Sequence, residues 1–190
     1  MFKIKDNVSN ELIIKNSKFI GLIYYVDNIE KIENILENLR NEHKDATHIC
    51  FAYRLENKEK YNDDGEPTGT AGAPIMEVIK KNDITNVLGV VIRYFGGIKL
   101  GAGGLIRAYS KTIRETLNKT LLEPIIFYNY YELETNYDNL KLLNTLTSNL
   151  EITNKDFSVT IKYQVKIEKD KDNINDIFKN TNILVKKLDN

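Results

Sequence analysis

The stretch NVLGVVIRYF (86–95) is almost continuously apolar, and this limits the folds open to the chain more than any other feature. It is far shorter than the roughly 18 apolar residues that cross a bilayer, and it lacks the alternation of a half-exposed strand. It reads as a central, buried strand of a sheet. The next nine residues are equally informative: GGIKLGAGG (96–104) turns the chain through five glycines into an amphipathic helix predicted over 103–118.

The glycines also divide the chain. Nine of the ten lie between Gly65 and Gly104, the exception is Gly21, and none comes after Gly104. From Pro124 onward strands and amphipathic helices alternate without glycine, and LLEP (121–124) breaks a helix, so two domains are expected, 1–123 and 124–190. In the first, ELIIKNSKFIGLIYYV (11–26) predicts two strands, and Ile29, Ile32, Leu36 and Leu39 recur at helical spacing over 28–43. THICFAYRL (47–55) is a strand, residues 56–69 show no regular pattern, and Pro74 sits early in a short helix ending near Asn82. The second half predicts strands over 125–135, 151–155, 157–168 and 182–188, with helices over 137–149 and 171–180. That is the ferredoxin-like βαββαβ order, and the fold class is α+β. Phe157, Val159, Ile161, Tyr163, Val165 and Ile167 alternate with polar residues, which predicts one buried and one wet sheet face.

Lys plus Arg and Asp plus Glu number 27 each, so no global field draws the chain toward a polyanion or an acidic membrane. Any electrostatic function must arise from local placement. The single cysteine, Cys50, excludes an internal disulfide, and MFKIKDNVSN lacks the apolar core of a signal peptide, so a soluble, cytoplasmic protein is expected. Arginine is scarce, five against 22 lysines, and all five precede residue 115. A guanidinium is a planar fork that grips a phosphate or carboxylate at two points, which makes Arg93, Arg107 and Arg114 informative.

These arginines lie in RYFGGIKLGAGGLIRAYSKTIRETL (93–117), which leaves the apolar strand and enters the helix. A helix N-terminus offers free amides and about half a positive charge, so such a junction can hold an anion. The candidate anion or nucleic-acid site comprises Arg93, Gly96, Gly97 and Lys99 before the helix, then Gly101, Gly103, Gly104, Arg107, Lys111 and Arg114. On the helix, Leu105, Ile106, Tyr109, Ile113 and Leu117 share one arc, while Arg107, Lys111 and Arg114 share the opposite one. The dinucleotide and Walker fingerprints fail, because Ile106 and Ala102 stand where glycine and lysine are needed. Glycines that only allow tight packing, beside an ordinary solvated helix face, would give the same pattern.

A second conspicuous loop, DDGEPTGTAGAP (63–74), carries Asp63, Asp64, Glu66, Thr68 and Thr70. Its carboxylates could hold Mg²⁺, act as acid and base, or pair with Arg93 or Arg107, and pairing is the least demanding option. No catalytic residue, metal site or cofactor is assigned. His48 and Cys50 share a strand face, but a lone strand cysteine usually belongs to the core.

HICFAYR (48–54), DDGEPTGTAGAPI (63–75) and VVIRYFGGIKLGAGGLIRAYS (90–110) resemble the signature of the IMPACT/YigZ family, and NSKFIG (16–21) is similar to its opening segment. Thr68 stands where the family more often has serine, a change that keeps the hydroxyl. The resemblance implies an N-terminal domain like the second domain of the fifth small-subunit ribosomal protein. It also implies a C-terminal domain resembling the last domain of elongation factor G. Eukaryotic members add an RWD domain through which they restrain the stress kinase acting on translation initiation factor 2. No counterpart is found in the 190 residues, so that partner is not expected to carry over. The expectation is therefore a translation-associated regulator, not an enzyme, that contacts RNA or the ribosome. The alternatives are an enzyme acting on a small phosphorylated or carboxylated ligand, with or without Mg²⁺, and a protein-docking adaptor.

Overall fold

A computed structural model describes residues 1–188, which form two compact units that meet at Ile125 and Ile126. The division falls two residues beyond the predicted one. The reason is that β7 (Leu122–Pro124) pairs antiparallel with β1 (Phe2–Ile4), and this ties Pro124 to the first unit.

The first unit is built on five antiparallel strands: β2 (Val8–Ile14), β3 (Ser17–Tyr25), β4 (His48–Arg54), β5 (Glu59–Asn62) and β6 (Val87–Tyr94). Their order, β2-β3-β6-β4-β5, puts the apolar run at the centre, with Val87 to Arg93 all buried. One face packs α1 (Ile29–Glu42), whose Ile32, Leu36 and Leu39 lie against Ile49, Phe51, Leu88, Val90 and Ile92. The other face packs α2 (Gly72–Lys81) and α3 (Ala102–Leu117) through Ile75, Ile79, Tyr109 and Ile113. Apolar residues point both ways from β6 because each face has its own helical layer. In α3, Ile106 sits at the margin of the predicted packing arc and is 40% exposed, while Ala108, Thr112 and Thr116 complete the buried face.

β5 runs through the segment expected to lack regular structure. Every one of its residues is exposed, so no burial pattern marks it. Two predicted strands of the second unit also change at their junction. β9 (Glu151–Phe157) and β10 (Ile161–Glu168) meet at a turn in which the Ser158 amide donates to the Thr160 carbonyl. Val159 is therefore 93% exposed and Phe157 52%, instead of both lining the core. With β8 (Tyr128–Thr135) and β11 (Leu184–Leu188) these strands form an antiparallel sheet in the order β11-β8-β10-β9. α4 (Leu140–Leu146) and the short α5 (Ile174–Ile177) contribute Leu143 and Ile174 to a core with Leu133, Ile161, Tyr163 and Val165. The wet face carries closed charge pairs, with Lys162 near Glu132 and Glu134 and Lys166 on Glu151. Among the described residues, no helix is long and apolar enough to cross a membrane.

Candidate anion-binding cleft

Strand register brings His48, Arg93 and Phe19 side by side across β4, β6 and β3. Arg93 points to the face covered by α3. There its Nη1 lies 2.5 Å from Glu66 Oε1, which also accepts a hydrogen bond of 2.8 Å from the Tyr109 hydroxyl. Both ions are buried, at 5% and 8% exposure. Such a pair survives because the two charges neutralise each other and Glu66 gains a second donor from Tyr109. Arg93 is thus held by Glu66 instead of being presented to solvent like a surface fork. Its guanidinium carbon lies 5.4 Å from the ring centroids of both Phe19 and Phe95, and its buried Nε has no hydrogen-bond partner.

The remaining acidic residues fix the loop. Asp63 accepts hydrogen bonds from the amides of Gly69, Ala71 and Gly72, and so caps α2 from outside the helix where no residue of its own first turn does. Asp64 accepts one from the Ile49 amide at 2.6 Å, and its carbonyl contacts His48 Nδ1 at 2.7 Å. The Thr70 hydroxyl donates to the Pro67 carbonyl, whereas Thr68 is exposed. Cys50 lies beneath, its thiol donating to the Asp63 carbonyl, and burial pushes it up to about 12. Burial likewise raises the Tyr109 hydroxyl well above the usual phenol range. Neither group is poised to ionise near neutrality. Among the described residues, no cluster of three or more His, Cys, Asp or Glu is arranged to hold a metal ion.

The glycine loop closes over this base. Gly96 packs so tightly on the β2–β3 turn that a Cβ there would lie 2.0 Å from the Asn16 backbone, and its amide donates to Ser17 Oγ. Gly101, at φ 72°, is the N-cap of α3 and has no side chain to occupy the helix amides. The first-turn amides therefore lack both intrahelical acceptors and a side-chain cap, and no acidic residue stands in that turn. The start of this helix, at Gly101, Ala102 and Leu105, lines a cleft of about 460 Å³ whose other walls are Gly65, Glu66 and Pro67 from the acidic loop, Thr47, His48 and Arg93 from the sheet side, and Phe95, Lys99 and Leu100 from the glycine loop.

A smaller groove of about 220 Å³ shares Leu100 with the cleft and is lined by Ile14, Lys15, Gly104, Arg107, Ala108 and Lys111. Arg107 lies back toward the helix start, so that a Cβ on Gly103 would sit 3.5 Å from its Nη1. Lys111 is 3.6 Å from Glu115, while Lys15, Lys99 and Arg107 have no ion-pair partner among the described residues. The two motif loops therefore meet. Arg114 stands apart, exposed in the last turn of α3 and lining neither depression, about 10 Å along the axis from Arg107 at 1.5 Å per residue. Gly97 is exposed beyond the cleft wall.

His48, Phe95, Leu100 and Lys15 line these depressions without being among the residues assigned to the candidate anion site or the acidic loop. For Phe95 the spacing carries a signal: two residues after Arg93, it continues the same strand face.

Residues 15–117 match the model of the Impact N-terminal domain, more than half of the chain. The chain belongs to the IMPACT family. IMPACT family member YvyE of Bacillus subtilis (strain 168) is 45% identical over 120 residues, 62% of this chain and 55% of that protein. IMPACT family member YigZ of Escherichia coli (strain K12) is 31% identical over 161 residues, 81% of this chain and 79% of the relative. A crystal structure of a hypothetical protein superposes with a TM-score of 0.66 at 26% identity, covering 99% of this chain and 97% of the other. The Impact match contains every residue of the cleft and both loops.

Proposed function

We propose that the protein is a cytosolic, translation-associated regulator that binds RNA or the ribosome through the cleft and groove at the start of α3. The observation that carries this reading is the uncapped α3 terminus, free of acidic residues in its first turn and flanked by Lys99 and Arg107. Backbone amides and lysine and arginine side chains are the usual phosphate donors in nucleic-acid complexes. The sheet order β11-β8-β10-β9 supports reading the second unit as ferredoxin-like, while the first is read as like the second domain of the fifth small-subunit ribosomal protein on the family resemblance. Both likenesses lean toward the ribosome by analogy of fold. The enzyme alternative loses ground because Asp63, Asp64 and Glu66 already serve as acceptors for protein donors.

The test is salt dependence. Binding to ribosomal or structured RNA, measured by fluorescence anisotropy across a salt series, should weaken steeply as salt rises. Lys99→Ala and Arg107→Ala should each reduce the log–log slope by about 1, and Arg114→Ala should change it little. Salt-independent binding, or none, overturns the proposal.

A further inference from the structure

We infer that the cleft seats one unstacked nucleotide of a single-stranded RNA, with its base on the outer face of Phe95 and its phosphate at the α3 N-terminus. This inference rests on the proposed RNA binding and names the form of RNA that the site takes.

Four observations lead to it. First, the cleft is not uniformly polar: Phe95, Leu100, Leu105 and Pro67 give it an apolar wall, and the helix amides with Lys99 give it one positive end. A ligand that fits must be an anion bearing a flat or apolar body. Second, Phe95 is 46% exposed at the start of the glycine loop, and the Arg93 guanidinium lies 5.4 Å from its centroid. Arg93 is in turn locked by Glu66, so the ring rests on a fixed cationic support. Aromatic rings held in this way are the platforms on which single-stranded nucleic acids stack, and stacking does not depend on base identity.

Third, Arg93, which lines the cleft, has a buried Nε with no hydrogen-bond partner among the described residues, so the Glu66 pair leaves one of its donors unused. Fourth, the cleft does not end at its own wall. Across Leu100 the groove continues with Lys15, Arg107 and Lys111, so positive charge extends past the volume that one nucleotide fills. A peptide carboxylate or a free mononucleotide would leave that groove unused, whereas neighbouring phosphates of a strand would run along it. A duplex cannot present a base to the cleft, because its bases are stacked and paired.

The experiment compares four RNA probes by anisotropy at one fixed salt concentration: a 12-nucleotide single strand, the same strand as a duplex, the same strand with abasic sites throughout, and ribosomal RNA. The intact single strand is expected to bind about 5- to 150-fold more tightly than the abasic one, the range that one stacked base supplies, and more tightly than the duplex. Phe95→Ala and Phe95→Leu should remove that preference while leaving the salt slope unchanged and the fold intact by circular dichroism. Phe95→Trp should keep it, which a merely structural role for Phe95 would not predict.

Equal binding of intact and abasic strands, with Lys99→Ala and Arg107→Ala still weakening both, overturns the stacked nucleotide and leaves the anion site standing. No binding of any RNA overturns both. Saturable binding of a peptide ending in a free carboxylate, with no oligonucleotide bound, reassigns the cleft to a protein ligand and also overturns the inference.

Discussion

Segments 63–72 and 95–104 both turn on glycines and both stand out in the sequence, yet the structure uses them in opposite ways. In the acidic segment, Asp63 takes three backbone amides, Asp64 a fourth, and Glu66 an arginine and a tyrosine. The glycine segment leaves Lys99 unpaired among the described residues and the α3 amides uncapped. The contrast teaches that a dense cluster of functional-looking groups can be scaffold, while the ligand-facing part is mostly main chain. The acidic loop is the mould, and the glycine loop is the surface it shapes.

The contrast would break most visibly at Glu66. Glu66→Ala leaves the Arg93 charge buried and unpaired and should cost about 3–5 kcal/mol, read as a lower urea midpoint for the first unit. A loss below about 1 kcal/mol would mean that the pair does not hold the loop. Asp63→Ala should come next, at about 2 kcal/mol, because charge-assisted hydrogen bonds to the α2 end are lost together.

Cys50 sharpens the comparison through pH. Burial places its thiol at about 12 against an ordinary 9.0, so the unfolded chain ionises first. The contribution of the protonated thiol is complete below pH 9 and is lost as pH rises from about 9 toward 12. Alkylation by iodoacetamide at pH 8 should therefore be slow in the native protein and accelerate in step with unfolding. Fast labelling of folded protein would show that the acidic loop opens. Smallest of all, Lys99→Ala and Arg107→Ala should change stability by no more than about 0.5 kcal/mol, since neither makes an ion pair among the described residues. If either proves as destabilising as Asp63→Ala, the division between mould and surface fails.

How much of this is legible in the sequence depends on whether a signal is local. β6 can be read from its own composition, and the α3 face from its periodicity, because burial on a covered sheet and on a helix leaves repeating patterns. β5 cannot, since an edge strand with every residue exposed has no such pattern. The turn at 158–160 contains neither glycine nor proline, so the apolar alternation runs straight through it. At the site, pairing of the acidic loop with an arginine is open to charge logic alone. The choice of Arg93, the capping of α2 by Asp63 from eight and nine residues away, and the placing of Phe95 and Lys15 in neighbouring depressions that share Leu100 depend on sheet register and loop closure. Neither is encoded in any short window.

The β1–β7 pair has a consequence for the order of events during synthesis. The Impact match stops at Leu117, but the strand that secures Phe2–Ile4 is not made until Pro124 has been added. One of the earliest strands of this unit to leave the ribosome waits for its last partner, so a chain ended at Leu117 would hold β1 on one side only, through Phe2 against Asp83 and Thr85. Pulse proteolysis of such a truncation should trim the N-terminus faster than in the full chain while sparing α3.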